Sequence, residues 1–125
     1  MELNDLSSKI INAAITVHKE LGPGLFESVY QSCMMIELQA NGLKVEKEVS
    51  LPVFYSGQKV NEEGFRLDML VYDIIIVELK SVEKVLPVHK KQLLTYLRLA
   101  KKPLGLLINF NEPMLTDGIT RIINS

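Results

Sequence analysis

The stretch of residues 64–80, GFRLDMLVYDIIIVELK, decides the fold. Large apolar and β-branched residues alternate on both sides of Asp73, which predicts two β-strands joined by a tight turn. Strand side chains repeat with period two, so each strand should divide its residues between two faces. In the first strand the expected faces are Phe65, Leu67, Met69 and Val71 against Arg66, Asp68, Leu70 and Tyr72. In the second strand they are Ile75, Val77 and Leu79 against Ile74, Ile76, Glu78 and Lys80.

The length of the turn decides whether the two acids of this hairpin meet. An odd loop of Tyr72, Asp73 and Ile74 pairs Asp68 with Glu78 on one face, beside Lys80. A two-residue loop would place the acids on opposite faces, because a one-residue shift inverts a strand. We predict the odd loop.

An Asp and a Glu beside a Lys in an apolar sheet have two explanations. The first is an ion pair at the end of a strand. The second is a divalent-metal site, because carboxylate oxygens are hard ligands that Mg²⁺ and Mn²⁺ prefer, and burying charge is otherwise costly. These residues alone leave both explanations open.

Length and composition indicate one soluble globular domain over residues 1–125. Hydrophobic residues make up 47% and charged residues 23% of the chain, and no apolar run is long enough for a membrane helix. The N-terminus lacks the basic and apolar segments of a signal peptide, and the single Cys33 is expected to be a buried thiol. We therefore expect a cytoplasmic protein without membrane association.

Two helices are expected before the sheet. The first spans residues 5–21, with Asn4 as N-cap, and ends at the Gly22-Pro23-Gly24 turn. The second spans residues 25–40. Its first turn contains Glu27, where the helix dipole favours an acid, and that structural role is the first explanation for this residue.

The remaining segments predict a mixed sheet. Residues 44–60 alternate like strands that reverse at Ser56-Gly57, with Pro52 at an edge or bulge, and Glu62 and Glu63 are expected in a loop. A helix over residues 87–101 should be followed by a buried strand over residues 104–110. A strand, helix and buried strand in this order predict a parallel crossover. Residues 118–123 are expected to form a last strand or a short helix.

Three motifs resemble one nuclease superfamily. Asp68 followed by Glu78-Leu79-Lys80 is similar to the D…ExK core of PD-(D/E)XK nucleases. Residues 24–30, GLFESVY, resemble the signature of the GxxExxY family within that superfamily, and Gln92 and Tyr96 match the QxxxY motif of its RecB-type branch. The resemblance implies a restriction-endonuclease-like α/β fold. Its αβββαβ core has a mixed central sheet flanked by helices, here with an extra N-terminal helix.

The resemblance also implies a function and a site. The expected activity is a metal-dependent nuclease that hydrolyses phosphodiester bonds, with DNA as the expected substrate and Mg²⁺ or Mn²⁺ as cofactor. Asp68, Glu78, the Leu79 carbonyl and Glu27 would hold the metal, and Lys80 would complete the catalytic set. The alternative is a non-catalytic module of the same fold that binds nucleic acid or protein.

Basic residues are concentrated after the ExK motif, although the net charge of the chain is −1. Together with Gln92 and Tyr96, we expect Lys84, Lys90 and Lys91 to contact nucleic acid. The wider basic set is Lys80, Lys84, Lys90, Lys91, Arg98, Lys101 and Lys102, which we expect to form one surface beside the site. Arg66 is expected to pair with an acid rather than with phosphate. A chain this small could form a homodimer to bind a duplex.

Overall fold

The computed structural model describes residues 2–125, except the side chains of Glu62 and Glu63. Helices α1 (Leu3–Leu21) and α2 (Glu27–Ala40) precede three strands, β1 (Val45–Tyr55), β2 (Gln58–Val71) and β3 (Ile75–Lys80). Helix α3 (Pro87–Ala100) leads to β4 (Leu104–Asn109), a 3₁₀ turn (Leu115–Gly118) and β5 (Ile119–Ile123). The expected αβββαβ core with an extra N-terminal helix is confirmed, and β5 completes it. Glu62 and Glu63, expected in a loop, lie within β2.

The five strands form one mixed sheet in the order β1-β2-β3-β4-β5. Neighbouring strands are antiparallel except β3 and β4, which run parallel from the Ile75–Leu104 pair to the Lys80–Asn109 pair. The parallel crossover through α3 is therefore confirmed. None of the helices within residues 2–125 combines the length and apolar composition that crossing a bilayer requires.

Two apolar clusters cover opposite faces of the sheet. Helices α1 and α2 pack over one face, with Met69, Val71 and Leu79 among the strand residues beneath them. Helix α3 packs over the other face through Leu93 and Leu97. Burial of these side chains on both faces explains why β3 and β4 read as continuous apolar runs. Cys33 is half-buried and packs against the first cluster.

The turn that joins β2 and β3 has the predicted odd length. The strands pair as Met69–Val77, Leu70–Ile76 and Val71–Ile75, which leaves Tyr72, Asp73 and Ile74 as the loop. Tyr72 and Asp73 take φ values of 51° and 57°, and Asp73 binds Lys102 outside the loop. This register directs Asp68 of β2 towards Glu78 of β3, although the regular pairs end at Met69–Val77.

The predicted division of β2 between two faces is only partly correct. Met69 and Val71 pack in the cluster under α1 and α2, whereas Leu67 packs in the α3 cluster and Phe65 contacts Tyr96 of α3. Strand β1 changes face in step, because Val45 packs against the first cluster and Val49 against the second. The change of face coincides with Glu48 of β1, which has a positive φ of 53°.

The start of the first helix differs from expectation. Helix α1 begins at Leu3, so Asn4 lies inside it and is not its N-cap. The Asn4 side chain instead accepts a hydrogen bond from Arg121 Nη2 at 2.7 Å, a tertiary contact that outweighs local capping preference. The register of β1 shifts after Leu51, as Pro52 suggested, where Gly64 with φ +63° approaches the Leu51 carbonyl too closely for a Cβ.

Candidate active site

The carboxylates of Asp68 and Glu78 meet where β2 and β3 part. Regular pairing between these strands ends at Met69–Val77. Beyond that pair the Leu79 N–H donates to Asp68 Oδ2 at 2.8 Å instead of to a strand carbonyl. The side chain of Asp68 therefore satisfies a backbone donor that the separating strands would leave without a partner.

Glu78 is held in an environment that opposes its ionisation. Burial, then the charge of Asp68 and a hydrogen bond with its side chain, raise the pKa of Glu78 from 4.5 to about 9. A hydrogen bond with the Asp68 backbone and the charge of Lys80 act in the opposite direction without offsetting these effects. Within the described residues, Oε1 of Glu78 is buried and has no hydrogen-bond partner.

An orphaned carboxylate oxygen beside a second carboxylate fits a divalent cation. Leaving a buried acceptor unsatisfied costs about 1–3 kcal/mol, and a bound cation would remove that cost and the repulsion within the pair. Among residues 2–125 with described side chains, no group of three or more His, Cys, Asp or Glu is arranged to hold a metal ion directly. Asp68 and Glu78 could therefore provide two carboxylate ligands at most, with Glu27 and Glu48 farther away on the wall of the adjacent cavity.

Glu27 lies at the edge of this pair. It is the first residue of α2, it is exposed, and its Oε2 accepts a hydrogen bond from the Ser81 N–H at 3.2 Å. A cavity of about 150 Å³ joins Glu27 to Asp68 and Leu79, and Ser28, Gln31 and Glu48 complete its lining. Gln31 fixes the opposite wall, because its Nε2 donates to the Asp68 carbonyl at 3.0 Å. The structure thus brings Glu27 beside the pair without direct convergence.

The turn before α2 is fixed by Tyr30, which is fully buried. Its hydroxyl donates to the Gly22 carbonyl at 2.6 Å and accepts from the Leu25 N–H at 3.2 Å. Its ring stacks on Phe110 with centroids 4.3 Å apart. The spacing of Glu27 and Tyr30 therefore directs one side chain to the cavity and the other to the core. His18, expected to be partly buried near this turn, is buried and contacts the Glu112 carbonyl through Nε2 at 2.8 Å.

Lys80 is half-buried at the end of β3, where its carbonyl accepts from the Phe110 N–H at 2.9 Å. Its ammonium lies close enough to Glu78 to lower the pKa of that carboxyl. The segment after Lys80 is held by Asn109, a fully buried side chain that exchanges hydrogen bonds with the Val82 backbone at 2.9 and 3.1 Å. Lys80 is therefore fixed from both sides.

Helix α3 directs Tyr96 towards the two carboxylates. Burial and then the charges of Glu78 and Asp68 raise the pKa of Tyr96, while a hydrogen bond with the exposed Gln92 side chain lowers it. The Tyr96 ring lies 5.2 Å from that of Phe65, centroid to centroid. Gln92 and Tyr96 thus act as neighbours on the side of α3 that faces the pair.

The basic residues after Lys80 are distributed along the whole length of α3 and its flanking loops. Lys84, Lys90 and Lys91 are exposed in the loop after β3 and the first half of α3. Three others, Arg98, Lys101 and Lys102, follow at the opposite end of the helix. Lys102 Nζ binds Asp73 Oδ1 at 3.0 Å, at the hairpin turn far from Glu78. Arg66 is exposed and makes no ion pair with any acid whose side chain the structure describes.

Sequence reasoning missed the acid opposite Asp68. The β1–β2 register passes from Lys47–Met69 to Val49–Leu67 without a Glu48–Asp68 pair, and Glu48 has a φ of 53°. Glu48 lines the cavity from the third side. The only signal in the sequence was that Lys47 interrupts the alternation of β1.

Comparison with curated proteins and with solved structures finds no match to the chain. A family model described as the PD-(D/E)XK nuclease superfamily matches residues 4–122, nearly the whole length. The chain belongs to the PD-(D/E)XK nuclease superfamily.

Proposed function

We propose that this protein is a metal-dependent nuclease that hydrolyses phosphodiester bonds, with DNA as substrate, in the GxxExxY branch of its superfamily. The observation that carries the proposal is the orphaned Oε1 of Glu78 beside Asp68. A purely structural protein would gain by replacing such a pair with apolar residues, because buried charges are costly without compensation.

The cation of this proposal is Mg²⁺ or Mn²⁺. Asp68, Glu78 and the Leu79 carbonyl would hold it, with Glu27 completing the set across the cavity. When bound, a divalent cation supplies positive charge to the reacting phosphate and lowers the pKa of water. The outer position of Glu27 suits Mg²⁺, which retains several of its waters in proteins.

The chain itself supplies the other functions of the site. The Lys80 ammonium would orient the attacking water and stabilise negative charge that develops on the phosphate. Gln92 and Tyr96 would position the scissile phosphate through their hydrogen-bonding groups. Lys84, Lys90 and Lys91 would bind the adjacent backbone by charge, independently of sequence.

Three further parts of the proposal concern the molecule as a whole. We propose that residues 1–125 act as one domain, since both apolar clusters share a single sheet. A homodimer would present two sites to the two strands of a duplex. A cytoplasmic location is consistent with the lone, half-buried thiol of Cys33.

A cleavage assay tests the proposal. Labelled single- and double-stranded DNA and RNA are incubated with the protein in Mg²⁺, Mn²⁺ or EDTA. The variants Glu78→Gln and Lys80→Met test the site, and the matched controls Glu83→Gln and Lys19→Met change an exposed acid and an exposed lysine elsewhere. We expect metal-dependent products that both site variants lose and both controls retain.

The same proteins distinguish a nuclease from the alternative, a non-catalytic module of the same fold. If no substrate is cleaved and Mg²⁺ or Mn²⁺ does not raise the thermal stability of the wild type, the nuclease proposal is wrong. Retained binding of nucleic acid in that case would support the non-catalytic module. Cleavage that survives Glu78→Gln would equally contradict the proposed roles.

A further inference from the structure

Helix α3 carries positive charge without any compensating acid. Its sequence, PVHKKQLLTYLRLA, contains Lys90, Lys91 and Arg98 and no Asp or Glu. All three cations are exposed. Lys91, Thr95 and Arg98 follow the i, i+4, i+7 spacing, so they align on one solvent-facing ridge. We call this line of residues the α3 ridge.

The α3 ridge ends at a second basic feature. A cavity of about 420 Å³ at the C-terminal end of α3 is lined by Arg98, Lys101, Lys102, Pro103 and Asn124. No acid contributes to this lining, which we call the distal basic cavity. The side-chain amide of Asn124 is engaged with the Leu97 and Lys102 carbonyls and closes one wall.

Two of the three cations in the distal basic cavity are available to an anion. Lys102 is bound to Asp73 at 3.0 Å. In the part of the chain whose side chains are described, neither Arg98 nor Lys101 makes an ion pair. Cations at a helix C-terminus also interact favourably with the helix dipole, an effect that needs no ligand and must be separated by experiment.

The α3 ridge connects the two ends of the sheet. Helix α3 begins after the loop that follows Lys80 and ends beside the β2–β3 turn, where Lys102 meets Asp73. Its 14 residues span about 20 Å at about 1.5 Å per residue. This length corresponds to about six base pairs of B-form DNA, at about 3.4 Å for each step along a strand.

We propose that the α3 ridge and the distal basic cavity form a track that binds the phosphate backbone along the length of α3, beside the carboxylate pair. The track deepens the proposed function and rests on it for the position of the scissile phosphate. Arg98 and Lys101 make the remote phosphate contacts. The bound class is a nucleic-acid backbone, because a linear series of exposed cations without acids complements a linear series of phosphates.

The salt dependence of binding tests the track. A labelled duplex of about 16 base pairs, which exceeds the length of the track, is titrated in EDTA between about 50 and 200 mM KCl, and binding is read by fluorescence anisotropy. The test protein is Arg98→Gln/Lys101→Gln. The matched control, Lys9→Gln/Lys19→Gln, removes two exposed lysines from α1. Circular dichroism and thermal unfolding establish that both variants are folded.

The expected change follows from the number of phosphates neutralised. Each lost contact reduces the slope of log K against log salt by about 0.9, so the test variant should lose about 1.8. The ratio of the wild-type binding constant to that of the test variant should therefore decrease about tenfold between about 50 and 200 mM KCl. The control should retain the wild-type slope.

The track would be refuted if the wild type and the test variant had equal slopes of log K against log salt. A decrease of the slope in the control as large as that in the test variant would also refute it. So would a wild-type protein that does not bind the duplex. The two proposals fail separately. Cleavage with an unchanged slope would refute the track and leave the nuclease. A reduced slope without cleavage under any metal condition would refute the nuclease and leave a backbone-binding surface.

Discussion

Replacing Glu78 with glutamine measures the cost of holding the carboxylate pair without a cation. Glutamine keeps the shape of the side chain and offers an N–H to the Asp68 carboxylate, where protonated Glu78 offers its O–H. In EDTA we expect Glu78→Gln to be more stable than the wild type near neutral pH. The difference should depend on pH, because only the wild type can ionise at this position.

The pKa shift sets the size of that difference. The pKa of Glu78 is raised from 4.5 to about 9 in the folded protein, so folding binds a proton that the unfolded chain releases. The contribution of Glu78 to the stability of the wild type is therefore most favourable below about pH 4.5, falls as the pH rises and levels off above about pH 9. At about 1.4 kcal/mol per pH unit, the loss between about pH 5.5 and 8.5 is about 4 kcal/mol.

Urea unfolding at three pH values provides the assay. The free energies of unfolding of wild type and Glu78→Gln are measured at about pH 5.5, 7 and 8.5 in EDTA, and their difference removes the titration of all other groups. Glu83→Gln, an exposed loop acid, is the control and should follow the wild type. A difference that stays constant within about 1 kcal/mol across this range would refute the reasoning, because Glu78 would then titrate normally. Mg²⁺ should reduce the difference, since a bound cation stabilises only the wild-type pair.

Three substitutions test the local structure around the site by urea or thermal unfolding. Tyr30→Phe removes the hydroxyl that donates to Gly22 and should cost about 1–2 kcal/mol, so no loss would mean the turn is held otherwise. Gly105→Ala brings a Cβ within 2.9 Å of Leu93 Cγ and should cost about 1–3 kcal/mol by overpacking. Glu48→Gly relieves a positive φ and should raise stability by up to about 1 kcal/mol. Glycine within a strand normally lowers stability by a similar amount, so a decrease in the free energy of unfolding of Glu48→Gly would contradict the strain at Glu48.

Local signals in the sequence determined most of the fold. The alternation on both sides of Asp73 predicted the β2–β3 hairpin and its odd loop, because side-chain faces and loop length are coupled. Pro87 and the break at Pro103 bounded α3, and the apolar run after it indicated the parallel strand β4. These features depend on residues within a few positions of one another, where sequence patterns are most informative.

The errors arose where distant residues decide the conformation. The change of face at Leu67 depends on the positive φ of Glu48. In a sequence, only residue types such as glycine or asparagine indicate a positive φ, and glutamate does not. Asn4 had a good capping side chain, but Arg121 binds it from the other end of the chain.

The candidate site also combines features set by nearby residues with features set by distant ones. The hairpin alone brings Asp68, Glu78 and Lys80 together, so their proximity could be predicted from one short stretch. The residues that fix them, Gln31 and Asn109, act through hydrogen bonds to backbone groups 37 and 27 positions away. A polar residue at the end of the apolar run of β4 was the only sign of Asn109.

Asp68 and Glu78, which meet where β2 and β3 separate, differ in how strongly each supports the proposed cation site. Asp68 has a structural reason to be present, because it accepts from the Leu79 N–H that no strand carbonyl reaches. Asp68→Ala would leave that donor unsatisfied, so a loss of activity could follow from a disturbed strand alone. Glu78 has no such compensating role, since its Oε1 is buried without a partner and its ionisation is opposed. A buried carboxyl group with an unsatisfied oxygen has no evident structural role here, so the proposed cation site depends on Glu78 more than on Asp68.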